Sequence, residues 1–150
     1  MANSIAIGVA YQDQAISGGT IDNSIIGGTT AAAGTFTNLT ASNNLAVKAS
    51  SVAAAGTDNT NAAALAGGFS LVTAADGTKG VILPDSPAGT IIIVKNSDAA
   101  NAILKVYPDA GAAINALTAT TGAYSMAAKT SCIFVASSTT QWYSIPLVAS

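Results

Sequence analysis

The chain has no histidine, no glutamate and no arginine; its charge comes from five lysines and seven aspartates alone. Without histidine, the commonest general acid–base group near neutral pH is missing. Ser-His-Asp and Cys-His nucleophile sites are excluded with it. Charged residues make up 8% of the sequence, against about 25% in ordinary soluble domains. The net charge of −2 gives no clustered cations to neutralise phosphates, so nucleic acid is not an expected partner. The single cysteine, Cys132, has no partner for an intrachain disulfide and lies in an apolar run, which suits a small buried hydrophobe. Four prolines without a Gly-x-y period exclude collagen. No stretch of 18 apolar residues is present, so no membrane-spanning helix is expected. The apolar start Met1-Ala-Asn-Ser-Ile-Ala-Ile-Gly-Val-Ala10 lacks a basic residue before it. It therefore does not read as a secretory signal, and synthesis in a cytoplasm without an export address is expected.

What is present is small. Of 150 residues, 33 are Ala, 17 Thr, 15 Ser and 14 Gly, with only eight aromatics. Burial of a large apolar side chain contributes roughly 1.5–3 kcal/mol, and of alanine much less. A core built by one copy would be thin, and so few charges protect a free surface poorly. Completion of the core against other copies of the chain is the first inference.

The composition divides the chain into residues 1–66 and 67–150. The first part has no proline and long Ala/Thr/Asn/Gly tracts; residues 80–147 hold all four prolines and most of the β-branched and aromatic content. In the second part, apolar β-type runs predict strands near 80–84, 90–95, 102–107, 114–117, 123–126, 131–136 and 141–145. Their spacing by turn signals every 8–12 residues or so predicts a sandwich or barrel. The run Ile91-Ile-Ile-Val94 is apolar on both faces, as a strand between a core and a neighbouring subunit would be. Ile92 and Val94, with Phe36 and Leu39, are the residues expected at a subunit interface.

The first part carries recurrences. Ile16-Ser-Gly-Gly-Thr20 returns as Ile25-Ile-Gly-Gly-Thr29; Ala31-Ala-Ala-Gly-Thr35 returns as Ala53-Ala-Ala-Gly-Thr57 and, more loosely, as Ala74-Ala-Asp-Gly-Thr78. Two readings stand: a true solenoid, or short strands with glycine corners in a chain where such recurrence arises from composition. The segment Ala62-Ala-Ala-Leu-Ala66 could form one helical turn. Ahead of these, Ile5, Ile7, Val9 and Tyr11 alternate with small residues as in a flat strand. It is either the first strand of the domain or an arm able to add to a foreign sheet edge.

Residues 20–42 resemble the segment TI(D/N)N(S/T)xIGxTTxAAGTFTxLTAS of tailed-bacteriophage fibre and virion proteins. Residues 106–115 with 134–143 resemble VYPxxGxxIN…FxAxSxTxWY, the pattern of a β-sandwich module in phage decoration and fibre proteins. The two stretches cover about a third of the chain. The resemblance implies a virion structural protein, commonly a homotrimer: a capsid decoration (cement) protein bound to the major capsid protein on the outside of the head. The alternative is a short tail-fibre or baseplate adhesion component. The fold expected is all-β, a sandwich or jelly-roll-like module over 67–150 preceded by an irregular, short-strand assembly segment over 1–66.

The remaining candidates for chemistry read more simply. Ser–Lys pairs through Lys95 or Lys129 have no nucleophile motif around them. The aspartates are scattered, with no D-x-D-x-D run for calcium, and Asp76, Asp85, Asp98 and Asp109 stand in turn-forming contexts. Gly28 to Gly34 is not followed by the Lys-Ser/Thr of a phosphate loop. Asn38-Leu39-Thr40 fits a glycosylation sequon without a secretory context. Trp142-Tyr143 could form a sugar platform, but the favoured role is supplying an aromatic-poor core. No catalytic residue, cofactor or metal is therefore expected. Far-ultraviolet circular dichroism should show β-structure with little helix; a helix content above roughly one-third, the average for globular proteins, would contradict this reading.

Overall fold

The computed structural model describes Gly34 and residues 36–147. The chain divides into two compact units, Met1–Ser42 and Asn43–Ser150. In the first, Gly34 and residues 36–42 form no strand, and Phe36 and Leu39 are exposed. The described residues of the second hold ten strands: β1 (Ala49–Ala53), β2 (Ala63–Ala64), β3 (Gly68–Thr73), β4 (Gly80–Ile82), β5 (Ile91–Asn96), β6 (Leu104–Tyr107), β7 (Ala113–Ile114), β8 (Tyr124–Met126), β9 (Ser131–Ser138) and β10 (Gln141–Leu147). Six of the seven runs expected as strands after residue 80 are strands over most of their length; of 114–117 only Ile114 lies in a strand, β7, and residues 115–117 turn. The compositional break at 66/67 lies inside this unit, in the link between β2 and β3. The possible helical turn near 62–66 is strand β2.

Up to β9, successive strands alternate between two sheets, β1-β3-β5-β9-β10-β7 and β2-β4-β6-β8; β10 then returns beside β9 in the same sheet. The first six run parallel within their sheets: β1 with β3, β3 with β5, β2 with β4 and β4 with β6. That is a β-solenoid of three coils, in which Ala49 lies beside Phe69 and Gly68 beside Ile92. The repeat is short, at the lower end of the roughly 20–50-residue solenoid periods. The solenoid reading therefore describes the recurrence of 53–57 at 74–78; the copies at 16–20 and 25–29, and all but Gly34 of the copy at 31–35, lie outside the described residues. A jelly roll would be antiparallel throughout; here antiparallel ladders appear only where β8 meets β6, and where β9 meets β5 and β10. These reversed strands close the C-terminal end of the stack.

The coils turn at corners whose residues explain the Ala-Ala-x-Gly-Thr recurrence. Gly56 and Gly77 follow β1 and β3 with φ of 58° and 94°, and Asn101 does the same after β5 with φ of 60°. At Gly56 an added Cβ would lie 2.3 Å from the Asn61 backbone, so the corner admits no side chain. The alanines are small because the corner turns in over the core: Ala54 and Ala75 are buried. Each corner has its own aspartate. Asp58 Oδ1 accepts from Thr60 N (2.8 Å) and Thr60 Oγ1 (2.6 Å), Asp76 Oδ1 from Thr78 N (2.9 Å) and Lys79 N (2.8 Å), and Asp98 Oδ2 from Ala102 N (3.0 Å). Stacked corners are joined by Ala54 N to Thr73 O (2.8 Å) and Ser97 N to Val72 O (2.7 Å).

Alternation along the strands sends one set of side chains inward. Val72, Ile92, Val94, Phe134 and Trp142 from the larger sheet meet Val81, Leu104, Val106 and Met126 from the smaller one in a single core. The largest members lie late in the chain, and Tyr124 packs edge-on against Phe134 with ring centroids 5.5 Å apart. The first coil is poorer. Ser50 and Ser70, opposite one another on β1 and β3, bury hydroxyls that have no hydrogen-bond partner.

One polar side chain organises the interior. Asn96, fully buried, donates through Nδ2 to Ala102 O (2.9 Å), Met126 O (3.3 Å) and Ala127 O (3.2 Å), and its Oδ1 accepts from Asp98 N (3.2 Å). It thus ties the third corner to the end of β8. Asn96→Ala should lower unfolding stability by about 2–3 kcal/mol, since stranded buried polar groups cost roughly 1–3 kcal/mol each; urea titration measures it.

Asp58 and Asp76 are held below the usual carboxylate range. The leading causes are the Thr60 hydroxyl for Asp58 and the Lys79 backbone N–H for Asp76. A lowered folded pKa means that the unfolded chain takes up the proton first. The stability these groups contribute is therefore complete above about pH 4 and is lost as pH falls through their folded values. Replacing both with Asn should flatten the loss of thermal stability below pH 4 while leaving the slope between pH 5 and 8 unchanged, as read from melting curves across that range.

Candidate functional site

The second set of side chains points away from the core. On β5 the alternation is strict: Ile92 and Val94 are inside, and Ile91, Ile93 and Lys95 are outside. This corrects the expected interface residues. Ile92 and Val94 are fully buried between the sheets of their own chain, so the residues β5 offers to a neighbour are Ile91 and Ile93. Lys95 carried the signal in the sequence: counting back in twos from a solvated lysine marks Ile93 and Ile91 as the outer pair.

The ladder registers extend this face across the larger sheet. Phe69 on β3 stands beside Ile93, Ile93 beside Ile133 on β9, and Ile133 beside Ile145 on β10. A second row joins Ile91, Val135 and Tyr143. Ile91 is 58% exposed, Tyr143 53%, Ile145 51% and Leu147 43%. The only charged side chain on the outward positions of these four strands is Lys95, whose ammonium donates to the carbonyl of Lys129. Such a face, largely apolar and nearly free of charge, has the composition of an interface core. β3 was not expected as a strand at all, so Phe69 and Leu71 were missed; the alternation Phe69-Ser70-Leu71-Val72 is ambiguous because both sets contain an apolar residue.

The two halves of the second resemblance form one structural piece. Ala113 and Ile114 on β7 pair in parallel with Gln141 and Trp142 on β10. Asn115, with φ of 53°, donates from Nδ2 to Ser144 Oγ (2.8 Å) and accepts at Oδ1 from Ser144 N (3.0 Å). Gln141 Nε2 donates to Asn115 O (2.9 Å). The asparagine closing the first half thus reads the backbone beside the Trp-Tyr pair that ends the second. Trp142 is buried and Tyr143 exposed, so they do not form a common platform for a sugar ring.

Ile5, Ile7, Val9 and Tyr11, the candidate docking strand, lie outside the described residues. Phe36 and Leu39 are 60% and 63% exposed. Cys132 is buried, and burial pushes its thiol pKa up, away from the reactive thiolate. Lys105 Nζ lies 2.9 Å from Ser125 Oγ; the two are opposite residues on β6 and β8, in an exposed cross-strand contact. Among the described residues, no three of His, Cys, Asp and Glu come together. A cavity of about 230 Å³ opens beside Tyr124, Met126, Cys132 and Leu147, without a charged side chain in its lining.

Ile145→Ser should leave the core intact, since the side chain is already half in solvent; the check is a melting temperature within a few degrees of the parent, measured on dilute protein. Phe134→Ala, by contrast, should cost about 3–5 kcal/mol through loss of a buried aromatic. Compared with protein-family models, with curated proteins and with solved structures, the chain has no match.

Proposed function

We propose that the chain is a structural component of a tailed-phage virion, a capsid decoration protein that binds the outside of the assembled head as a self-associated unit. The single observation that carries the structural half of this reading is the outward apolar face of the larger sheet. A stack of short strands with an exposed, nearly uncharged face is suited to assembly, and the mechanism would be binding linkage. A protein that binds only the assembled shell stabilises it by mass action, and a multimer gains avidity by engaging several shell subunits together. The phage half rests on the two sequence resemblances, and the docking of residues 113–115 onto β10 supports treating the second as one unit.

The finer expectation, a jelly-roll module of the decoration type, has two sheets over one core in its favour and the parallel coils against it. The second reading is a short tail-fibre or baseplate component, favoured by the same coils, because stacked parallel strands lengthen naturally along one axis.

Copy number and position in purified virions test the proposal. Quantitative mass spectrometry with antibody labelling should find on the order of hundreds of copies on the head, the avidity argument requiring many equivalent sites. A few copies on the tail would favour the second reading, and absence from particles would overturn both.

A further inference from the structure

We propose that the Asp76–Gly77 step in the second corner is a site of spontaneous isoaspartate formation, held inactive by the folded coil and released when that corner opens. It is the one place in the sequence where an aspartate or asparagine is followed by glycine. The proposal concerns the backbone of this chain and does not depend on a role in assembly.

The chemistry needs only the chain and water. The Gly77 amide nitrogen attacks Cγ of the Asp76 carboxyl group; a C–N bond forms, the C–OH bond breaks, and the hydroxyl leaves with the amide proton as water. The five-membered imide is then hydrolysed. Water added at Cγ restores aspartate. Water added at the main-chain carbonyl carbon leaves the backbone running through Cβ and Cγ, with the former main-chain carboxyl group as a side branch. Glycine favours the attack because it has no Cβ to crowd the nitrogen. The other two corner aspartates lack such a neighbour: Asp58 is followed by Asn59 and Asp98 by Ala99.

Hydrogen bonds, and not crowding, guard the step. A Cβ built on Gly77 would meet nothing within 4 Å, so its outer side is open. The nucleophile is engaged, since Gly77 N donates to Ile103 O (3.0 Å). The electrophile is engaged too. Asp76 Oδ1 accepts from Thr78 N (2.9 Å), Thr78 Oγ1 (2.8 Å) and Lys79 N (2.8 Å), and Oδ2 lies 3.2 Å from Lys79 Nζ. These partners favour the ionised carboxylate, which has no hydroxyl to lose. The corner is also fixed at both ends. Ala75 is buried in the core, and Gly80 exchanges two backbone hydrogen bonds with Ala55 (3.0 and 3.1 Å). Turning the Asp76 carboxyl group onto the Gly77 nitrogen therefore requires the corner to open.

The same anchors make the product consequential. Isoaspartate adds one main-chain atom between Ala75 and Gly80. Gly80 has no room to shift, because a Cβ there would lie 2.7 Å from Lys105 O. A lengthened corner cannot keep both anchors and the Gly77–Ile103 bond, so a coil that isomerises while open is lost to refolding.

Ageing at pH 7.4 and 37 °C, followed by methyl transfer from an isoaspartyl methyltransferase and peptide mapping, tests the proposal. The samples are the folded full chain, the same chain in guanidinium chloride, and a synthetic peptide of residues 72–81. Peptide and unfolded chain should accumulate isoaspartate at position 76 at comparable rates. The folded chain should do so at least tenfold more slowly, since an opening that costs about 1.4 kcal/mol slows the step by that factor. Thr78→Val, which removes one partner of Asp76 Oδ1, should raise the folded rate severalfold, whereas Thr60→Val, the matching change at Asp58, should not. Equal rates in folded chain and peptide would overturn the guard, and no isoaspartate in the unfolded chain would overturn the site. A like rise in Thr60→Val would overturn the role given to the partners of Asp76. Should Thr78→Val fail to fold, refolding yield gives the second measurement. After ageing in guanidinium chloride it should fall in step with isoaspartate in the parent and stay level in Asp76→Ser; equal losses in both would overturn the proposal.

Discussion

A shortage of large side chains governs this molecule. With alanine, threonine, serine and glycine making up more than half the sequence, the few large apolar residues must be placed where each removes the most surface from water. The chain does this by coiling: short strands, alternately assigned to two sheets, face one another so that every second residue enters a common core. Corners made of alanine and a left-handed glycine or asparagine allow the coils to stack closely. The aspartate at each corner then satisfies the backbone groups that the turn exposes. Burial by itself would not hold such short strands; the ladders and the corner hydrogen bonds make the stack continuous.

The same alternation creates the outward face. A strand with apolar residues at consecutive positions has a second apolar side, and β5, β9 and β10 all show it. In a sequence with abundant lysine and glutamate those positions would be charged. Here most are isoleucine, valine, leucine and tyrosine, with Ser131, Ser137 and Gln141 toward the strand ends, and the one lysine among them is turned to a carbonyl. The core and the face are thus two consequences of one residue pattern, and they join the solenoid to the proposed role in assembly.

The sequence was legible where side chains were large and patterned. Six of the strands after residue 80 stand out because β-branched and aromatic runs alternate with proline, glycine and aspartate turns; β7, only Ala113–Ile114, does not. The first three strands were not legible: Ala49–Ala53 and Ala63–Ala64 contain only alanine, serine and one valine, and Gly68–Thr73 has apolar residues in both of its alternating sets. Pairing direction was equally hidden. A strand pattern states which residues are inside and leaves open whether the next strand returns beside it or crosses to the other sheet. The Ala-Ala-x-Gly-Thr recurrence held that information, but in so alanine-rich a chain it also fitted chance. On the outward face, Lys95 indicated the correct members of the isoleucine run, whereas naming Ile92 and Val94 ignored its parity. The halves of the Asn115–Ser144 contact are 29 residues apart, too far for any local pattern to join them.

If the chain completes its buried apolar surface only by association, its stability must depend on its own concentration. Urea unfolding followed by Trp142 fluorescence, over a hundredfold range of protein concentration, tests this most directly. The account predicts a midpoint that rises steadily with concentration. A midpoint independent of concentration, with a single cooperative transition, would mean that one copy folds to completion alone and would contradict it.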